Sequence, residues 1–143
     1  MNTISRGFTG RRRDEVKLPP GQYLEHGFPV LQTGPTPTVR TATWSFTITT
    51  ETGQEAARWN WQQLMALPQV DVATDIHCVT KWSKLDTHWR GVSLDTLLDG
   101  IQTNAGYVMA HSYGGYTTNL PTKDVTGGQA WLAYDYDGQP LPP

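Results

Sequence analysis

Cys78 is the only cysteine in the 143 residues, and it stands in the stretch DIHCVTKWS (Asp75–Ser83), beside His77 and shortly before Lys81, Lys84, His88 and Arg90. A lone thiol serves either as a small buried hydrophobe or, once ionised, as a nucleophile or a soft metal ligand. The setting favours the ionised form. The residue closes an apolar run and opens a polar segment carrying four cationic side chains, and nearby positive charge lowers a thiol pKa. His77, Cys78, His88 and His111 are all zinc-type donors, but neighbours on a strand point to opposite faces, so His77 and Cys78 are not expected to share one ion. A nucleophilic Cys78 paired with His88 or His111 matches no cysteine-hydrolase spacing. G-x-S-x-G, H-E-x-x-H, C-x-x-C and the Gly-rich phosphate loops are missing, and SYGGY (112–116) lacks the Lys and the spacing of a nucleotide cradle, so it reads as a local turn.

The elements that must position Cys78 follow from periodicity and punctuation. VDVATDIHCV (70–79) reads as a strand with Val70, Val72, Thr74, Ile76 and Cys78 on one face and His77 on the other. The thiol then falls at the strand's end, where the polar TKWSKLDTHWRG (80–91) begins a loop. TWSFTITTETGQ (43–54) alternates Trp44, Phe46 and Ile48 with Ser and Thr, the pattern of a half-buried strand, with Thr52-Gly53 as a turn. Asn60 caps a short helix WQQLMAL closed by Pro68, and Ser93 caps LDTLLD, with Leu94, Leu97 and Leu98 inward and Gly100 as terminator. YVMAHS is a further strand, PTKDV a helical turn and QAWLAYDY a last strand. Trp44, Trp59, Trp61 and Trp131 fall where a core would use them. Strands and short helices without a βαβ rhythm imply an α+β fold with a mixed sheet.

Length and composition are those of one folded domain: 37% hydrophobic residues with six Trp, six Tyr and three Phe. Charge is near balance, 11 Lys and Arg against 13 Asp and Glu, which argues against a nucleic-acid or anionic-membrane surface. No apolar run reaches the roughly 18–20 residues of a membrane span, and no secretory h-region follows the first arginines. The expected compartment is the cytoplasm, with which a single cysteine agrees. Residues 1–18, with Arg11-Arg12-Arg13, read as a flexible arm and 19–143 as the domain. PPGQYLEHGFPVLQTGPTP (19–37) is too rich in Pro and Gly for a helix or central strand, yet apolar enough that it must lie on something. At the other end Asp137-Gly138 is a strong hairpin signal, with too few residues after it for a return strand.

DIHCVTKWSKLDTHWRGVSLDTLL (75–98) closely resembles the cysteine motif of the sulfite-oxidase-type molybdopterin oxidoreductases, in particular the bacterial branch that includes the protein-methionine-sulfoxide reductase catalytic subunit. Its HCV-x-x-WS core and downstream W-x-G-V-x-L-x-x-LL are specific. The loop 19–37, YVMAHSYGGYTTNLP (107–121) and LAYDYDGQPLPP (132–143) resemble that branch's other segments in the same order, so the likeness covers residue 17 onward.

The resemblance implies a sulfite-oxidase-type fold binding molybdenum-molybdopterin, with Cys78 giving its thiolate to molybdenum beside the dithiolene of the pterin. A soft thiolate suits that metal. It places His26, where the family often has Asn, with Pro29 and Val30 in the amino-terminal loop against the pterin, and gives Ser112 a hydroxyl contact. The activity implied is oxygen-atom transfer to or from a small sulfur- or nitrogen-containing substrate, with an external electron-transfer partner. In the family DGQPLPP is followed by an Asn or His, an Arg at the pterin phosphate and a Lys-containing segment. None follows within these 143 residues, so the chain is expected to lack the family's C-terminal part, to hold cofactor weakly, and to self-associate through the C-terminal strand edge. The alternative is a cofactor-free truncated domain with a structural or interaction role.

Overall fold

The computed structural model describes residues 17–32 and 34–142. In chain order it forms strands β1 (Tyr23–Leu24), β2 (Ser45–Thr49) and β3 (Glu55–Asn60), helix α1 (Trp61–Ala66), strands β4 (Val70–His77) and β5 (Trp82–Ser93), helix α2 (Leu94–Leu98), strands β6 (Tyr107–His111) and β7 (Thr117–Pro121), a 3-10 turn at Thr122–Asp124, and strands β8 (Trp131–Tyr136) and β9 (Gln139–Pro140). The fold is mostly sheet with short helices, an α+β arrangement. Its main sheet is mixed, because β1 runs parallel to β5 while β4, β8 and β9 pair antiparallel. The arm expected at 1–18 lies, up to residue 16, outside the described residues.

The polar segment expected as a loop after Cys78 is instead the longest strand, the 12-residue β5. Its outward positions are the polar Lys84, Asp86, His88 and Arg90, while Ser83, Thr87 and Gly91 are buried. Between the buried Trp82 and Val92 the buried positions are only Ser83, Thr87 and Gly91, all small or polar, which is why a hydrophobicity reading passes over the strand. Burial of those hydroxyls is compensated. Thr87 Oγ1 donates to the Thr74 carbonyl and accepts from Trp89 Nε1 at 2.8 Å. At Thr74/Ile76 the register slips, with Asp86 at φ 54 forming a bulge whose N–H is taken by Asp75 Oδ1 at 2.8 Å.

Both helices have the expected ends. Gln63 N donates to Asn60 Oδ1 at 2.9 Å and Asn60 N to Gln63 Oε1 at 2.8 Å, a reciprocal cap, and Ser93 Oγ accepts from Asp95 N at 3.2 Å. The core centres on the buried Leu64, Val92 and Leu97, with Trp44, Phe46, Trp59 and Trp61 packed round it. Trp131 departs from expectation: it is exposed at the start of β8, because Leu132 takes the inward position there.

The C-terminal expectation is corrected too. Asp137 and Gly138, at φ 51 and 74, make a two-residue turn, and β9 returns to pair Tyr136 with Gln139 and Asp135 with Pro140. Two paired residues suffice because Leu141 N also reaches the Tyr134 carbonyl at 2.9 Å. The edge of β8 is thereby covered from Tyr134 to Tyr136, which removes part of the ground for self-association there.

Gly91 shows how closely β5 and β8 approach. A Cβ on Gly91 would press on the Leu132 carbonyl and fall 2.7 Å from Ala133 Cα, both backbone atoms. Gly91→Ala is therefore expected to lose about 1–3 kcal/mol in urea unfolding, and an unchanged midpoint would show that the two strands can separate at no cost.

Candidate functional site

Cys78 sits at the first position of a tight turn joining β4 to β5. Its N–H donates to the Trp82 carbonyl at 2.9 Å and its carbonyl accepts from Lys81 N at 3.0 Å, with Lys81 in the left-handed region at φ 75. This is a short hairpin loop of the kind in which one αL residue restores strand direction. Val79 at the tip is 93% exposed, and Cys78 is half-buried.

The sulfur faces Thr80 Oγ1 at 3.1 Å. That hydroxyl, then the Thr80 N–H, hold the thiol below the ordinary range by stabilising its anion; partial desolvation opposes them, and the Val79 N–H adds the smallest lowering. None of the cationic residues expected to do this is among the causes, and three of the four are engaged elsewhere. Lys84 Nζ donates to the His26 carbonyl and lies 4.9 Å from the centre of the Phe28 ring, Arg90 pairs with Asp71 at 2.8 Å, and His88 Nε2 lies 3.3 Å from Asp86 Oδ1. The thiolate is favoured as expected, but by donors within its own turn.

The apolar loop 19–37 lies on this hairpin. Tyr23 N donates to the Lys81 carbonyl and Glu25 N to the Ser83 carbonyl, both at 2.8 Å, which sets β1 parallel to β5. Gln22 Nε2 donates to the Cys78 carbonyl at 3.1 Å, Ser83 Oγ donates to Gln22 Oε1 at 3.1 Å, and His77 Nδ1 lies 2.8 Å from Ser83 Oγ. Further along, the Phe28 ring packs edge-on against Trp82, Trp89 and Tyr136 with centroids 5.1–6.2 Å away.

Of the residues singled out in the sequence, His26 is joined to the hairpin through its carbonyl and Lys84, while its ring is exposed. Pro29 is half-buried and Val30 is 82% exposed in the same loop. Ser112 is not joined to this group. It belongs to the β6–β7 turn, where its Oγ accepts from Tyr116 N at 3.1 Å. Gln22, Thr80 and Ser83 touch Cys78 or its turn and were missed. Ser83 carries the signal of ending the HCV-x-x-WS core, Thr80 only that of lying two positions from Cys78, and Gln22 carries none.

Among the described residues no group of three or more His, Cys, Asp or Glu side chains comes together. Trp82 Nε1 is buried and has no hydrogen-bond partner among them, a state that costs about 1–3 kcal/mol. A soft sulfur whose anion its own turn stabilises, with an unspent donor on the following strand, fits a group that brings most of its own metal ligands.

Residues 33–143 match the family model described as the oxidoreductase molybdopterin binding domain. The chain belongs to that family. Within it, the chain is 35% identical over 140 residues to the uncharacterized oxidoreductase YuiH of Bacillus subtilis (strain 168), covering 96% of this chain and 70% of that protein. It is also 37% identical over 86 residues to YedZ1 of Azospira oryzae, provisionally named a protein-methionine-sulfoxide reductase subunit, covering 59% of this chain and 32% of that one. The family match begins within the loop, after His26, Pro29 and Val30, and includes Cys78 and Ser112. As a molybdopterin-binding oxidoreductase domain, the chain has a redox function. No helix among the described residues is long and apolar enough to cross a membrane.

Thr80→Val removes the first of the donors on the sulfur, so the thiol pKa should rise and the thiolate fraction near neutral pH should fall. Iodoacetamide labelling of Cys78 at about pH 7 should slow roughly two- to tenfold, with the rate-against-pH curve displaced to higher pH. A curve that stays in place would assign the lowering to the backbone donors alone.

Proposed function

We propose that this domain is the catalytic part of a sulfite-oxidase-type molybdoenzyme in which the Cys78 thiolate is the protein's ligand to molybdenum. The reaction is transfer of an oxygen atom to or from a small sulfur- or nitrogen-containing substrate, with electrons exchanged through a separate redox partner. The observation that carries this reading is the placement of the chain's only thiol: tip of a hairpin, partly open to solvent, and held toward its ionised form by short-range donors. Molybdopterin, when bound, would supply a two-electron centre capable of oxygen-atom exchange and the dithiolene sulfurs beside Cys78.

The chain's own contribution is to hold and cover. Cys78 would offer one soft donor and leave the remaining positions to the cofactor and substrate. His26, Pro29 and Val30 would lie against the pterin, and Ser112 would contact it from the β6–β7 turn. The loop supports such a role by its exposed apolar side chains, Phe28, Val30 and Leu31, which a flat ring system would bury. A sulfur-bearing substrate agrees with the name of the Azospira relative. The cytoplasm is the proposed compartment, supported by a single cysteine that needs no oxidising environment.

Cys78→Ser substitutes a harder oxygen for the sulfur at nearly constant volume. Expressed beside the wild type in a host that makes the cofactor, it should keep its unfolding midpoint while its molybdenum affinity falls at least roughly 100-fold. The checks are molybdenum per chain by mass spectrometry and thermal unfolding. Equal molybdenum in both proteins sinks the assignment of Cys78, and a collapse in stability would return the thiol to the role of a buried hydrophobe.

A further inference from the structure

Gln22 comes from 56 positions before Cys78, and both ends of its amide are spent on the Cys78 hairpin. Ser83 is fully buried, and its hydroxyl donates to Gln22 Oε1. The Cys78 carbonyl can only accept, so Nε2 must be the amide end that faces it; Oε1 then faces Ser83 Oγ, which has to donate. With the Ser83 proton committed, Ser83 Oγ can only accept from His77 Nδ1, so His77 carries its hydrogen there. The chain of donors runs in one direction, from His77 through Ser83 and Gln22 to the Cys78 carbonyl. That carbonyl also receives Lys81 N–H, so both of its lone pairs are occupied.

We propose that Gln22 is a positioning residue for Cys78, locking the turn from outside so that the sulfur holds one place relative to the amino-terminal loop. The inference rests on Cys78 being the molybdenum ligand. A carbonyl held by two donors fixes the peptide plane between Cys78 and Val79 and, with the Cys78 N–H held by the Trp82 carbonyl, the direction of the Cα–Cβ bond that carries the sulfur. Gln22 immediately precedes β1, whose Tyr23 and Leu24 pair with Trp82 and Ser83, so the loop register and the thiol position are set by one residue.

Two substitutions separate positioning from packing. Gln22→Met keeps the volume and loses both bonds. Gln22→Glu keeps the acceptor for Ser83, but its carboxylate has no N–H for the Cys78 carbonyl. In the molybdenum-loaded protein the readout is the visible sulfur-to-molybdenum charge-transfer band, and in metal-free protein it is hydrogen exchange in the peptide spanning residues 78–83. Both variants should move the band and speed exchange there roughly tenfold, with the core peptides unchanged. Wild-type band and wild-type exchange in both variants overturn the proposal. Faster exchange with an unmoved band also overturns it and leaves Gln22 a brace of the turn only. A wild type that never holds molybdenum sinks the metal reading, and the exchange measurement alone then decides whether Gln22 locks the thiol's turn.

Discussion

Strand β5 has to serve three partners with two edges. Strand β4 runs along one edge from Ser83 to Gly91, so β1 at Trp82 and Ser83 and β8 from Trp89 to Ser93 must share the other. Every peculiarity of the β5 sequence answers to that crowding. Where β8 presses closest the residue is Gly91, since any Cβ would meet backbone. Where the partners change over, Asp86 takes a left-handed conformation that Asp tolerates better than most residues. Ser83 and Thr87 are fully buried, and each has its hydroxyl bonded, which avoids the penalty of an unmet buried polar group.

The same crowding explains why the thiol is tuned locally. Lysine and arginine heads at an exposed sheet surface act through water and salt, where their influence on a neighbour is small. Here Arg90 and Lys84 are occupied as well, by Asp71 and by the His26 carbonyl. Donors inside the turn act at hydrogen-bond distance and keep their effect whatever the ionic strength. A ligand or nucleophile prepared in this way depends on the hairpin geometry, and the geometry depends on β5.

What the sequence made legible follows the same division. The caps at Asn60 and Ser93, the turn at Asp137-Gly138 and the apolar strand ending at Cys78 are local chemistry, and local chemistry is written in adjacent residues. Strand β5 was hidden because its buried positions between Trp82 and Val92 carry only Ser83, Thr87 and Gly91, while the usual signal of a strand is large apolar residues in alternation. Strand β9 was hidden because two pairs and one extra hydrogen bond are enough to close a hairpin once the turn residues are right. At the site, Cys78 stood out by being alone and by its motif, whereas Gln22 is one glutamine among many polar residues until the loop folds back on it.

Folding that loop back over 56 positions costs chain entropy that grows slowly with length but has to be met by something other than the two amide hydrogen bonds. Each of those is worth only about 0.5–1.5 kcal/mol net. The aromatic cluster is the stronger fastening. Phe28 meets Trp82, Trp89 and Tyr136 at once, and such ring pairs contribute about 0.5–1.5 kcal/mol each beyond the area they bury. Trp89 and Tyr136 are themselves directly opposite on β5 and β8 with rings 4.8 Å apart, so the platform that receives Phe28 exists only when those strands are in register. Loop placement, and with it the surroundings of Cys78, is thus coupled to the pairing of β8 at the far end of β5.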